Sequence, residues 1–314
     1  MWLPLLVVLG LLLLYRWYRQ SLILGNVTDK YVLITGCDSG FGNLLARQLD
    51  KRGMKVLAAC LTDKGAENLK KETSSRLQTV ILDISNSQNV ISVGQWVSQI
   101  VRERGLWGLV NNAGTSGPIA PNGWLKKDDF LQPLHVNLLG MIDVTLTLLP
   151  LIRKARGRIV NVSSVLGRVA LLSGGYTISK FGVEAFSDTL RRELVDFGVC
   201  VSIVEPGGFK TAMTELSGFE KCIREKWDTL PRETKLIYGE QYTKKFIQYM
   251  DKSFSSGSSK IYKVTNCIEH ALTACYPWTR YSAGWGAKLL IIPLSYMPTF
   301  IIDRVARRNL PRPI

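Results

Sequence analysis

Tyr176 and Lys180 stand four residues apart in a segment that reads as helical through Arg192, so their side chains share one helix face. A free tyrosine titrates at about 10 and is a poor proton acceptor at neutral pH. An ammonium one turn away stabilises the phenolate, so Lys180 is expected to lower Tyr176 and fit it to take the proton of a substrate hydroxyl. Upstream, Arg158–Val162 reads as a buried strand, and Ser163 and Ser164 follow at its end. A serine hydroxyl there would hold the same substrate oxygen. A Tyr-x-x-x-Lys pair arises by chance about once in a chain of this composition, so the pair carries weight only through its place after that strand.

Removing that proton dehydrogenates an alcohol only beside a group that takes the hydride, and the N-terminal third offers a nucleotide site for one. Tyr31–Thr35 is β-branched and apolar and reads as a short parallel strand. A helix is expected from Asn43 to Arg52, with Leu44, Leu45 and Leu49 on one face and Gly53 at its end. Between them lies Gly36-x-x-x-Gly40-x-Gly42, which also holds Ser39 and Phe41. Glycines let the backbone approach a pyrophosphate, and the helix start offers free N–H groups to it. The spacing differs from Gly-x-Gly-x-x-Gly, and by itself the loop reads equally as a plain tight turn.

A second strand, Lys55–Leu61, should end near the adenosine ribose. No Arg or Lys stands in the glycine loop or at Cys60, Leu61 and Thr62, and Asp38 and Asp63 would repel a 2′-phosphate. This points to NAD rather than NADP, although neither acid stands at the strand end in the sequence. A third strand, Leu77–Leu82, ends in Asp83, which would either accept from the adenine amino group or serve as an N-cap or turn residue. Leu106–Val110 and Val199–Val204 complete the series; Asn111-Asn112-Ala113-Gly114 ends the first and Pro206-Gly207 follows the second. The asparagine side chains can tie adjacent strand ends together. Strands alternating with helices imply an α/β, Rossmann-type doubly wound parallel sheet with its ligands at the carboxyl ends of the strands.

Thr35–Gly42, Asn111–Gly114, Asn161–Ser164 and Tyr176–Lys180, in this order, resemble the short-chain dehydrogenase/reductase family over about residues 28–265. The chain is most similar to the microsomal retinol dehydrogenase and 3α-hydroxysteroid dehydrogenase branch. Ile34–Gly42, Gly105–Gly114, Leu190–Leu194, His270-Ala-Leu-Thr-Ala and Arg280-Tyr-Ser-Ala-Gly-Trp carry that closer match. The resemblance implies a catalytic tetrad. Asn137 would hold a relay water, Ser164 would orient the substrate oxygen, Tyr176 would be the base, and Lys180 would also grip the ribose hydroxyls. Eleven residues separate Ser164 from Tyr176, one fewer than the family usually has. Counting back from Tyr176 therefore selects Ser163, whereas matching Ser-Ser-x-x-Gly selects Ser164.

By the same resemblance the nucleotide is held by Gly36, Ser39, Gly40, Phe41, Gly42, Asp83, Asn111, Ala113, Gly114, Tyr176 and Lys180. Pro206, Gly207 and Thr211 would meet the nicotinamide carboxamide. The implied substrate is a lipophilic alcohol, all-trans-retinol or a 3α-hydroxysteroid. Oxidation of a 17β-hydroxyl or epimerisation of a 3-hydroxyl on the same site are the alternatives. The resemblance also implies an endoplasmic reticulum (microsomal) membrane location and a homodimer through helices near 130–150 and 176–192. A nucleotide-binding regulator without turnover is the non-enzymatic alternative, and the presence of both Tyr176 and Lys180 weighs against it.

Residues 1–15 carry no charge, and Arg16 and Arg19 follow. The run is shorter than the ~20 residues of an upright span. No small-residue cleavage site follows it, so residues 1–20 read as an uncleaved signal anchor with the main domain on the cytosolic side. The sequon Asn26-Val27-Thr28 would be usable only on a luminal domain. Residues 212–262 break the strand–helix rhythm with Phe219, Trp227, Tyr238 and Phe246, and form either a substrate lid or a small satellite core. Residues 266–314 read as a C-terminal helical, apolar extension. Within it Leu289–Ile302, broken by Pro293 and Pro298 and followed by Arg304, Arg307 and Arg308, is either an interfacial membrane segment or a helix over the substrate pocket.

The net charge of +15 is scattered and accompanies no nucleic-acid motif; attraction to anionic lipid explains it more simply. Six cysteines without metal spacing and two histidines, His135 and His270, leave no disulfide framework and no His-rich metal site. Ser253–Ser259 reads as a flexible loop.

Overall fold

The structure is a computed structural model and describes residues 2–308 and 310–313. Helix α1, Trp2–Ser21, precedes a sheet of seven strands: β1 Tyr31–Thr35, β2 Lys55–Cys60, β3 Gln78–Ile81, β4 Gly108–Asn111, β5 Arg158–Val162, β6 Cys200–Pro206 and β7 Arg280–Ala283. All pairings are parallel, in the order β3-β2-β1-β4-β5-β6-β7. The order reverses between β1 and β4, which opens a crevice at their carboxyl ends. The middle of the sheet is buried on both faces, hence the continuous apolar runs of β1, β2 and β4.

Parallel strands need crossovers, and the helices supply them on both faces. Helices α2 (Gly40–Lys51) and α3 (Asp63–Lys71) bury Leu45, Leu49 and Leu69 against one face. On the other lie α4 (Ser87–Val101), the pair α5 (Lys127–Leu134) and α6 (Met141–Ala155), and α7 (Gly175–Glu193). They contribute Val93, Val97, Val144, Leu148, Ile152 and Leu190. Helices α5 and α6 are joined by a π-helical turn, His135–Gly140. The resulting rod, Lys127–Ala155, is long and apolar enough to cross a membrane by length and composition, yet it packs on the sheet.

Helices α8 (Leu216–Asp228), α9 (Arg232–Tyr238) and α10 (Glu240–Ser255) form a satellite core around Trp124, with Phe219, Ile223, Tyr242 and Phe246. Leu125 and Leu172, from loops beside the crevice, pack against it. Helix α11 (Tyr262–Thr273) returns to the sheet and buries Val264, Ile268 and Leu272. Strand β7 then adds an edge whose Tyr281 and Ala283 face inward. The sheet thus uses residues beyond 265, where a C-terminal extension was expected to begin.

The helix expected at Asn43 starts at Gly40, so the last glycines of the loop form its first turn. Strand β3 is one residue shorter at each end than the run that announced it, β4 is displaced by one or two residues, and β6 runs on through Pro206. The serine-rich loop is tied down: α10 continues through Ser255, and Ser258 pairs with Gly208 and Lys210.

Helix α1 is longer than the uncharged run suggested: its 20 residues span about 30 Å, the thickness of a hydrocarbon core. Leu5 through Tyr18 lie mostly exposed along it. Its C-terminal end is seated on the domain. His270 Nε2 meets Gln20 O at 2.9 Å, the Arg19 guanidinium lies 3.8 Å from the Tyr276 ring centre, and Leu24 N donates to Thr273 O at 2.8 Å. At the other end of the chain, the π-turn Ala287–Ile291, a short helix Ile292–Leu294 and helix α12 (Thr299–Arg307) leave Trp285, Leu289, Leu290, Tyr296 and Phe300 exposed.

Candidate active site

The glycine loop packs closely on itself and on the segment after β4. A Cβ on Gly42 would lie 2.3 Å from Gly36 O, and one on Gly36 would lie 2.8 Å from Ala113 Cα, so neither position admits a side chain. Gly36 and Gly40 also have φ of +71° and +60°. Ser39 at the N-cap makes no side-chain cap bond, which leaves the first N–H groups of α2 turned to the crevice. This donor set, a helix N-terminus over a side-chain-free cradle, fits a diphosphate.

Asp38 corrects the reading of the strand end. Its carboxylate accepts from Leu61 N at 2.7 Å, Thr62 N at 3.0 Å and Thr62 Oγ1 at 2.7 Å. The loop folds back, so an acid that is distant in sequence sits at the end of β2. Asp83 takes its turn role: Oδ1 accepts from Ser85 N at 2.9 Å and Ser85 Oγ at 2.6 Å, while Asn86 caps α4.

Of the two adjacent asparagines, the second shapes the crevice. Asn112 Nδ2 donates to Thr35 O at 2.8 Å and Gly36 O at 3.1 Å, and Thr35 Oγ1 accepts from the N–H groups of Asn112 and Ala113, both at 3.0 Å. Asn111 instead turns into the protein, donating to Thr145 Oγ1 at 2.9 Å and Asn161 Oδ1 at 2.8 Å. Its side chain, expected among the nucleotide contacts, ties β4 to β5. Thr35 and Asn112 were quoted in the motifs but not singled out; their signal was a polar residue at the end of each apolar run.

On the far side, Phe41 meets Phe209 edge-on at 5.7 Å, and Thr211 lies against Gly40. The Pro206–Thr211 segment therefore closes over the glycine loop. Gly207 and Trp285 line a groove of about 310 Å³.

Ser164, Tyr176 and Lys180 converge at the carboxyl end of β5. Lys180 Nζ donates to Val162 O at 2.8 Å and lies 5.6 Å from the Tyr176 ring centre. The Ser164 hydroxyl, which accepts from Leu166 N at 3.1 Å, lies within reach of the Tyr176 hydroxyl, whereas Ser163 turns beneath α7, 3.4 Å from Lys180 O. Gly114 and Asn137 border Lys180. The Asn137 side chain is fully engaged: Oδ1 accepts from Thr115 N at 2.8 Å, and Nδ2 donates to Thr115 O at 2.9 Å and Ser179 Oγ at 3.0 Å. It lies in the π-turn, a break that re-aims backbone groups at functional sites.

The electrostatics differ from the expectation. Burial pushes the Tyr176 hydroxyl up, and the nearby Ser164 hydroxyl only partly opposes it. Burial likewise brings Lys180 down to about 8, with the Glu184 charge acting the other way. Both groups are thus pressed toward their neutral forms.

The short chain dehydrogenase family profile matches residues 30–220, which spans the glycine loop, both asparagines, Ser164, Tyr176 and Lys180. The chain belongs to the short-chain dehydrogenase family. It is 59% identical over 305 residues to human retinol dehydrogenase 16, covering 97% of this chain and 96% of that protein. It is 54% identical over 313 residues to human 17-beta-hydroxysteroid dehydrogenase type 6, covering 100% and 99%. These matches assign the enzyme, an oxidoreductase, to the retinol and hydroxysteroid branch.

Among solved structures, a Burkholderia phymatum short chain dehydrogenase/reductase in complex with NAD superposes with a TM-score of 0.69 at 20% identity, covering 92% of this chain and 99% of that one. A Burkholderia cenocepacia short chain dehydrogenase in complex with NADP gives 0.65 at 20%, covering 89% and 99%. At that identity the likeness speaks to the fold. The cofactor of this dehydrogenase is a nicotinamide dinucleotide, and its cradle fits one.

Proposed function

We propose that this dehydrogenase is membrane-anchored and uses NAD to oxidise a lipophilic alcohol, all-trans-retinol or a 3α-hydroxysteroid, to the carbonyl. The observation that carries the reading is the meeting of Ser164, Tyr176 and Lys180 beside the glycine cradle. Ser164 holds the substrate oxygen and Tyr176 takes its proton. Lys180, fixed by Val162 O, stabilises the phenolate and would hold the ribose hydroxyls of a bound dinucleotide. The oxidised nicotinamide ring supplies the hydride acceptor. With its side chain engaged, Asn137 serves a relay water through its backbone carbonyl. Gly36, Ser39, Gly40, Phe41, Gly42, Ala113 and Gly114 would hold the dinucleotide, the Asp83 oxygen that its turn does not use would hold the adenine, and Pro206, Gly207 and Thr211 would hold the carboxamide.

Asp38 supports NAD over NADP, since its carboxylate occupies the end of β2, where a 2′-phosphate would need a cation. The names of the two human relatives support a retinoid or a hydroxysteroid. Full-length similarity to a 17-beta-hydroxysteroid dehydrogenase favours one further substrate class, a 17β-hydroxysteroid.

The exposed apolar helix α1 supports an endoplasmic reticulum anchor, and Arg16 and Arg19 support a cytosolic catalytic domain. Exposed Leu289, Leu290 and Phe300, flanked by Lys288, Arg304 and Arg307, support a second contact with lipid. Leu139, Leu146, Ile178 and Phe181, exposed on the helices bordering the site, support pairing of two copies.

Tyr176→Phe tests the mechanism. Turnover is expected to fall at least about 100-fold while NADH binding is retained. Unchanged turnover refutes Tyr176 as the base.

A further inference from the structure

Beneath the catalytic helix lies a set of buried charges that the reaction, as read above, does not use. Glu184 stands one turn after Lys180 on α7 and is 6% exposed; Glu205 on β6 is 1% exposed. Arg280 of β7 donates to Glu184 at 3.0 Å and to Asp188 at 2.8 Å, and lies 3.4 Å from Glu205. Glu205 also accepts from Ser282 at 3.1 Å and from Arg168 at 3.0 Å. Packed apolar residues would fill such a space at least as stably, so the charges ask for another reason.

Glu184 Oε1 provides one. It has no hydrogen-bond partner among the described residues, and the Ser163 hydroxyl, which donates to Lys180 O at 3.4 Å, lies near the Glu184 carboxylate. Both flank Gly167, whose missing side chain lets them approach: a Cβ there would meet Ser163 Oγ at 2.7 Å and Glu184 Cγ at 3.0 Å.

We propose that Glu184 is a positioning residue for the dehydrogenation: it backs Ser163 across Gly167, and with it the strand end that carries Ser164, and it sets a negative charge one turn from the Lys180 ammonium. The inference rests on Ser164, Tyr176 and Lys180 being the reacting groups. Lys180 is faced by Tyr176 and Glu184 from its own helix, by Val162 O from β5, by Gly114 after β4 and by Asn137 from the π-turn. Glu184 is faced by Lys180 and Asp188 from its own helix, Arg280 from β7, Glu205 from β6 and Ser163 from the end of β5. Its charge raises Lys180 against the effect of burial, so its loss lets Lys180 deprotonate at lower pH.

The test uses the full chain in membranes. Glu184→Gln keeps the shape and removes the charge. The alkaline limb of kcat/KM is expected to move down by about one pH unit and kcat to fall about tenfold. Glu184→Asp should bring the limb back toward wild type. Ser163→Ala should lower kcat and leave the limb in place. Competitive acetylation of Lys180, followed by mass spectrometry across pH without any cofactor, should show the same downward shift in Glu184→Gln.

An unmoved limb together with an unmoved acetylation profile overturns the proposal. Should Glu184→Gln fail to fold, wild-type kcat in Ser163→Ala overturns it. A shifted acetylation profile in a protein that turns over no alcohol supports the coupling and removes only the reaction.

Discussion

Replacing Lys180 by Met is expected to abolish turnover while changing how stability depends on pH. Lys180 is 5% exposed, and burial brings its ammonium from 10.5 down to about 8. Below pH 8 the side chain is charged in both folded and unfolded chains, and the folded chain bears the desolvation cost. The gap between the two values corresponds to about 3 kcal/mol. The bond to Val162 O, at 2.8 Å, offsets about 1.5–3 kcal/mol of this, so at pH 7 Met leaves the protein about as stable or somewhat more so. Between pH 8 and 10.5 the unfolded chain binds more protons at this residue than the folded one, so wild-type stability rises with pH. Relative to the variant the rise is about 2 kcal/mol from pH 7 to 9.5. Equilibrium urea unfolding of both proteins in detergent, at these two pH values, measures it. Parallel stabilities at the two pH values would refute a charged, desolvated Lys180, whatever happens to turnover.

Two further substitutions address the nucleotide end. Asp38→Ser combined with Leu61→Arg exchanges an acid for a cation at the end of β2, and the ratio of kcat/KM for NADP over NAD should rise about 100-fold; an unchanged ratio from initial rates removes Asp38 as the discriminator. Gly42→Ala puts a Cβ 2.3 Å from Gly36 O, and NADH affinity measured by fluorescence should fall at least about tenfold, whereas wild-type affinity would show the cradle to be pliable.

Local pattern made much of this molecule readable. β1 and β5 run over the residues that their β-branched runs announced, and Tyr176 and Lys180 share the face that a four-residue spacing requires. What pattern could not convey was direction and depth. Asn111 and Asn112 are identical side chains one residue apart, and alternation along a strand sends the first into the protein and the second toward the glycine loop. Asp38 stands 23 residues before the Leu61 N–H it binds, so its place at the β2 end exists only once the loop has folded back. Strand β7 escaped notice because Arg-Tyr-Ser-Ala shows only two inward positions. The direction of Tyr176 was misjudged because spacing reports the neighbouring ammonium and not the burial of both groups.

The most direct test is the initial rate of alcohol oxidation in membranes that contain the full chain, with NAD or NADP, offering all-trans-retinol, a 3α-hydroxysteroid and a 17β-hydroxysteroid in parallel. NAD-dependent oxidation of at least one of them, absent in Tyr176→Phe, is the predicted result. Activity with NADP alone would contradict the reading of Asp38, and no oxidation with either cofactor would contradict the proposed function itself.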